Sequence, residues 1–279
     1  MVYESVKAHD GTDIRVARFE PTGKPIGVVQ IIHGFGEGIA HYVATAEFFA
    51  KNGFACIVHD QRGFGEMPHL SQKAKQKARG VVPGYEYFLE DIRTLHTIIN
   101  VWYPTVPKIL YGHSMGGNIT INYLLKNGGY DKAILESPWL RLYKPLPRFA
   151  ASLAGQIGRL SSNLTINAKV EIDHISRDQD IRTSRRTDGI YHMRMSLRLY
   201  AEVVKAGENA IRNADKLLLP TLLLCPGADK IVCPEAIREF SEGSGENVVF
   251  IEYPDGYHCL HADTISAEVL NAMLEFCMG

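Results

Sequence analysis

The chain has 279 residues, 46% of them apolar, which is enough for one large domain with a sizeable core. With 30 Lys and Arg against 31 Asp and Glu, the formal net charge is −1, which excludes a global electrostatic case for nucleic acid or an anionic membrane. No stretch reaches the roughly 18 uninterrupted apolar residues of a membrane-spanning helix, and residues 1–12 lack the apolar run of a signal peptide.

In chain order, residues 13–20 alternate enough for an antiparallel strand, and 21–25 hold turn residues. Residues 27–32 form a near-continuous apolar run, the pattern of a strand covered on both faces. The glycine-rich loop His33-Gly34-Phe35-Gly36-Glu37-Gly38 follows, then a helix over 42–51 ended by Asn52-Gly53, and a second buried strand over 54–58. Helical spacing at Phe88, Ile92, Leu95 and Ile99 predicts a helix over 85–103, stopping before Pro104. Residues 107–111 read as a buried strand, 118–126 as a helix and 132–136 as a strand. This alternation predicts an α/β fold: a mostly parallel central sheet with helices on both faces.

Residues 138–190 break the rhythm, and an inserted helical lid is expected there, within a single domain spanning 1–279. Leu146, Phe149, Ala150, Leu153, Ile157 and Leu160 fall at helical spacing. As the wall of an acyl site, this stripe would make Leu153 and Ile157 substrate contacts. The plainer reading is an extra helix pair packed on the core. The rhythm resumes with a helix over 191–213, a strand over 221–225, a helix over 234–241, a last strand over 248–253 and a closing helix over 267–277. The basic runs 73–79 and 182–186 are expected to be solvated surface.

The chemistry centres on Gly112-His113-Ser114-Met115-Gly116, which has the pattern of a nucleophile elbow, a sharp strand-to-helix turn that holds a serine proud of the backbone. A serine hydroxyl needs a base within hydrogen-bond reach, and the base needs an acid to orient it. Asp229 follows the strand over 221–225 and is the candidate acid; Asp255 is a rival that follows the last strand. His258 follows that last strand and is the candidate base, although spacing alone leaves His261 beside it. The oxyanion of a tetrahedral intermediate needs two donors. The backbone N–H groups of Met115 and Phe35 are the candidates. The five cysteines, Cys56, Cys225, Cys233, Cys259 and Cys277, show no zinc-like pairing, and free thiols in a reducing cytoplasm are expected. The proposed chemistry needs neither metal nor organic cofactor.

Six motifs together carry a resemblance: His33-Gly-Phe-Gly-Glu37 with His41-Tyr42, Asp60-Gln-Arg-Gly-Phe-Gly65, Gly112-His-Ser-Met-Gly-Gly117, Ser176-Arg-Asp178, Gly227-Ala-Asp-Lys-Ile-Val232 and Tyr257-His-Cys-Leu-His261. Over nearly its whole length the chain resembles the α/β-hydrolase serine esterases of the monoacylglycerol lipase and lysophospholipase group, also grouped with the serine aminopeptidase-like hydrolases. The resemblance implies Ser114 as nucleophile, Asp229 as acid, His258 as base, and Phe35 and Met115 as oxyanion donors. It further implies that Glu37 and His261 line an alcohol pocket. His41 stands at the position where the family usually has arginine and is assigned to the same substrate-binding set. The implied substrate is a small-molecule acyl ester, a monoacylglycerol or a lysophospholipid, with transient contact of the lid with a membrane surface and no nucleic-acid partner. A general carboxylesterase, an amidase or peptidase on small substrates, and a non-catalytic ligand receptor on the same fold are the alternatives.

Overall fold

The computed structural model of the protein describes residues 1–279 apart from Ser162 and Lys169, and apart from the side chains of 148–152 and 160. The chain opens with an antiparallel pair, β1 (Val2–Lys7) and β2 (Asp13–Phe19). Then come β3 (Gly27–Ile32), β4 (Phe54–His59), β5 (Lys108–His113) and β6 (Lys132–Glu136). A short ribbon of β7 (Thr165–Asn167) and β8 (Arg194–Ser196) stands apart, and β9 (Thr221–Pro226) and β10 (Val248–Tyr253) return to the sheet. The eight-stranded sheet runs β1-β2-β4-β3-β5-β6-β9-β10. Strand β2 meets β4 antiparallel, and from β4 to β10 every pairing is parallel.

Parallel neighbours need crossover connections, and the crossovers put helices on both faces. The helices in chain order are α1 (Val43–Lys51), α2 (Gln72–Ala78), α3 (Glu86–Trp102), α4 (Met115–Asn127), α5 (Arg148–Leu160), α6 (Gln179–Thr187), α7 (Leu197–Arg212), α8 (Pro234–Gly243) and α9 (Ser266–Met278). Side chains alternate along each strand, so each central strand feeds two cores. Leu110 of β5 and Leu223 of β9 pack with Ile92, Ile119, Val203 and Ile237, from α3, α4, α7 and α8. Ile109, Tyr111, Leu222 and Leu224 point the other way, toward Phe49 of α1 and Met273 of α9. This two-sided burial is why β3, β4, β5 and β9 read as near-continuous apolar runs. Among the described residues no helix is long and apolar enough to cross a membrane.

The early helices and strands fall close to their expected bounds, with some departures. Strand β1 was not foreseen, because as an edge strand it buries only Val6. The helix expected over 191–213 starts at Leu197, where Ser196 Oγ caps it by accepting Leu199 N–H at 3.2 Å; residues 194–196 are held in the ribbon with β7. In the insertion, α5 packs against α7 through its small residues. A Cβ at Gly158 would lie 2.3 Å from Arg198 N, and one at Gly155 would lie 2.9 Å from Ala201 Cβ. This orientation leaves Leu153 54% and Ile157 38% exposed, so neither walls the cavity described below. Phe149 and Leu160 of the same stripe lie outside the described side chains. The run 73–79 falls largely in α2, whose residues are all outside the core. The run 182–186 is not uniformly solvated, because Arg185 is buried.

Candidate active site

Strand β5 ends at His113 and α4 begins at Met115, so one residue makes the turn between them. That residue, Ser114, has φ 54° and ψ −119°, a region that side chains rarely adopt. The strain persists because the backbone is tied on both sides: Ser114 N–H donates to Glu136 O at 3.0 Å, and Trp139 N–H donates to Ser114 O at 2.9 Å. The flanking glycines are required by contact. A Cβ at Gly112 would lie 2.4 Å from Thr120 Oγ1, and one at Gly116 would lie 2.0 Å from Ile32 O.

The loops after β9 and β10 bring Asp229 and His258 to this serine. His258 Nε2 is 2.8 Å from Ser114 Oγ, and His258 Nδ1 is 2.7 Å from Asp229 Oδ2. An ionised carboxylate only accepts, so Nδ1 carries the proton and the Nε2 lone pair faces the hydroxyl. Asp229 is itself oriented, since its Oδ1 accepts Ile231 N–H at 2.6 Å and Val232 N–H at 3.1 Å. The His258 carbonyl accepts the Ser137 hydroxyl at 2.7 Å, and His113 Nε2 lies 3.3 Å from it. Burial lowers the pKa of His258, but the charge and hydrogen bond of Asp229, with the charges of Glu37 and Glu136, outweigh it and raise the imidazole above 6.5. The rival Asp255 is exposed. Of the two candidate histidines, His258 is the one in reach of Ser114.

The loop after β3 lies over the elbow. A Cβ at Gly34 would be 3.2 Å from Ser114 Cβ. The N–H groups of Phe35 and Met115 have no protein acceptor among the described residues. A cavity of about 650 Å³ is lined by Ser114 together with Phe35, Trp139, Tyr191 and Cys259, and by the apolar side chains of Leu142, Leu146, Ile166, Val170 and Met195.

Glu37 faces this cavity, but His41 and His261 do not. The His41 side chain is buried against the insertion, with Nε2 2.8 Å from Asp188 Oδ2. His261 lies behind the site, stacked on Tyr42, with Nδ1 2.9 Å from Glu136 Oε1. The expectation that both would contact substrate is therefore corrected: each pairs with a carboxylate away from the cavity, half-buried Asp188 for His41 and buried Glu136 for His261. Burial raises the Glu136 carboxyl, but His261, His113 and the Tyr111 hydroxyl hold it down to about 2. Sequence reasoning missed Tyr42, Tyr111, His113, Glu136 and Ser137 as parts of this network. Tyr111 and His113 lie in β5, Glu136 ends β6 with Ser137 just after it, and Tyr42 ends a short helical turn; their local sequence carries no mark of the contact. Among the described residues, Glu37, His113 and Cys259, and likewise His113, Glu136 and His261, bring ligand-type atoms within 4.8 Å of one another. His113 belongs to both groups, and its Nδ1 lies 2.8 Å from the Tyr42 hydroxyl.

A mostly parallel sheet, a strained serine between β5 and α4, and partners after β9 and β10 in the order Ser, Asp, His define the α/β-hydrolase fold. The chain belongs to the serine aminopeptidase, S33 family, whose model matches residues 23–265. It is 27% identical over 260 residues to a putative monoglyceride lipase of Schizosaccharomyces pombe; the match covers 91% of this chain but only 65% of that protein's length. It is 26% identical to a monoacylglycerol lipase of Mycolicibacterium smegmatis, over 85% of this chain and 83% of that one. The crystal structure of Paleococcus ferrophilus monoacylglycerol lipase superposes with a TM-score of 0.84 at 26% identity, covering 95% of this chain and 98% of the other.

Proposed function

We propose that the protein is a serine hydrolase that cleaves carboxylic esters of single-chain lipids, a monoacylglycerol or a lysophospholipid, through an acyl-enzyme. The observation that carries this reading is the hydrogen-bonded chain from Asp229 through His258 to Ser114, opening onto an apolar cavity. Ser114 Oγ bonds to the ester carbonyl carbon while His258 Nε2 takes its proton, and Asp229 holds the imidazole and stabilises its positive charge. The oxyanion is received by the N–H groups of Phe35 and Met115. The carbon–oxygen bond to the alcohol then breaks, and His258 returns the proton to the leaving oxygen. Water, activated by the same histidine, releases the acid. Each buried CH₂ of an acyl chain is worth about 0.8 kcal/mol, which the cavity wall is suited to supply.

Glu37, which lines the cavity and accepts Gly34 N–H at 2.8 Å, is the proposed acceptor for a hydroxyl of the leaving alcohol. Tyr143, Leu146, Leu153, Ile157 and Leu164 of the insertion are all exposed, an arrangement that supports transient seating of the cap on a lipid surface. Five unpaired cysteines, four of them buried, suit a reducing compartment, and the cytoplasm is the proposed location. A panel of p-nitrophenyl and glycerol esters of graded acyl length, with Ser114→Ala as control, tests the reading. Rates that rise with chain length and vanish in the variant are expected. Turnover of short esters alone would favour a general carboxylesterase, and no Ser114-dependent turnover would refute the proposal.

A further inference from the structure

Arg185, on the cap helix α6, is only 5% exposed, and its Nε and Nη2 have no hydrogen-bond partner among the described residues. A buried guanidinium without partners is costly and calls for a reason. Its nearest carboxylate is Glu37, with Nη2 3.7 Å from Oε1 and both side chains almost fully buried. The other oxygen of Glu37 is committed: Oε2 accepts Gly34 N–H at 2.8 Å and the Tyr42 hydroxyl at 2.6 Å. Gly34 is the residue before Phe35, and its Cα faces Ser114 closely enough that a Cβ there would touch the serine side chain at 3.2 Å. The next peptide, which carries Phe35 N–H, is held through its carbonyl: Gly34 O accepts Glu37 N–H at 3.4 Å and lies 2.8 Å from His33 Nδ1, so Glu37 grips Gly34 from both sides. Two more contacts clamp the same loop to the same cap segment. Asp188 meets His41 at 2.8 Å, and His192 N–H donates to Gly36 O at 3.2 Å. The approach is tight, since a Cβ at Gly36 would lie 2.3 Å from His192 O.

We propose that Arg185 is a positioning residue for the ester hydrolysis: from the cap, it holds the Glu37 carboxylate in the orientation that fixes Gly34 and so aims Phe35 N–H at the oxyanion. The cap then does more than cover the cavity; it completes the loop that stabilises the transition state. The inference rests on the serine-hydrolase reading above. Burial of Glu37 opposes its ionisation, but His113, Arg185 and His41 together keep it ionised well below the usual carboxylate range, so Glu37 offers the guanidinium a full charge.

The test measures kcat and KM separately for p-nitrophenyl acetate and a long-chain p-nitrophenyl ester, in wild type, Arg185→Met, Arg185→Lys, Glu37→Gln and the Arg185→Met/Glu37→Gln double variant. Neither substrate carries a glycerol group, so an effect on both reports the reacting centre. Arg185→Met is expected to lower kcat by about tenfold or more on both substrates with KM nearly unchanged, as for a donor displaced by a fraction of an ångström. Arg185→Lys is expected to restore most of the loss, and Arg185→Met to cost little more once Glu37→Gln has removed the charge. An unchanged kcat, a KM effect confined to the long-chain ester, or an undiminished loss in the Glu37→Gln background would overturn the proposal. If Arg185→Met does not fold, Arg185→Gln makes the same comparison: lowered kcat at constant KM supports the proposal, and wild-type kcat overturns it. Wild-type protein inactive on both esters would remove the hydrolase reading and this proposal with it; active wild type with an unaffected Arg185→Met would remove this proposal alone.

Discussion

Gly116→Ala puts the elbow geometry to a quantitative test. The new Cβ would stand 2.0 Å from Ile32 O and 2.6 Å from His33 O, where real Cβ atoms do not approach within 3.0 Å. The first turn of α4 must therefore move away from the end of β3 by about 1 Å, because both neighbours are backbone and neither can rotate aside. That movement separates the two proposed oxyanion donors, since Met115 N–H rides on α4 and Phe35 N–H on the loop after β3. A displacement of this size costs about 100-fold in rate, and the overpacking costs about 1–3 kcal/mol of stability. Gly128→Ala is the matched control. Gly128, unlike Gly116, has a positive φ, +63°, but an added Cβ meets nothing within 4 Å, so only backbone strain is incurred. Steady-state hydrolysis of a p-nitrophenyl ester and thermal melting should show Gly116→Ala impaired in both and Gly128→Ala slightly less stable with a normal rate. A Gly116→Ala protein with wild-type kcat would refute the argument that close approach at this glycine sets the site.

Further outcomes follow from the surroundings of His258. The base must be neutral to accept the Ser114 proton, so kcat/KM should rise with pH through the raised pKa, with the midpoint of the acid limb above 6.5. Asp229→Asn removes the charge that raises it, so the midpoint should fall and the rate should drop by about 10⁴-fold; a midpoint that stays put would contradict the assigned cause. His261→Ala should leave the hydrogen bonds of His258 in place but strand the buried Glu136 carboxylate, costing about 3–5 kcal/mol of stability by denaturant titration. A loss of activity equal to that of His258→Ala in a protein of normal stability would reverse the roles of the two histidines. Leu153→Asp, on the exposed side of α5, should leave hydrolysis of dissolved esters of any chain length unchanged and weaken sedimentation with lipid vesicles; a selective loss on dissolved long-chain esters would return Leu153 to the cavity wall.

The parts of the fold and site that were legible in the sequence are those set by neighbours along the chain. Near-continuous apolar runs marked β3, β4, β5 and β9 because each strand is covered twice. Glycines two residues to either side marked the turn at Ser114, and position after a late strand pointed to Asp229 and His258. What stayed hidden depends on where distant segments meet. Arg185 sits in a basic run that looks solvated, and only the docking of α6 against the loop after β3 buries it. The amphipathic stripe of α5 pointed toward an apolar partner, but Gly155 and Gly158 allow a closer approach on another face, and packing on α7 overrides the pattern. Tyr191 to Met193 belong to a helical-looking stretch, yet His192 is held at Gly36 and the following residues at β7, so the helix is delayed. Neither Glu136 nor His261 reveals its pairing, since 125 positions separate them.

The central claim is a covalent acyl intermediate on Ser114, and mass spectrometry of protein quenched during turnover tests it most directly. Enzyme mixed with a p-nitrophenyl ester and stopped in acid should carry one acyl group, located on the proteolytic peptide that contains Ser114 and absent in Ser114→Ala. An ester-hydrolysing protein that carries no adduct when quenched before its first turnover is complete, or carries the acyl group on another residue, would contradict the account.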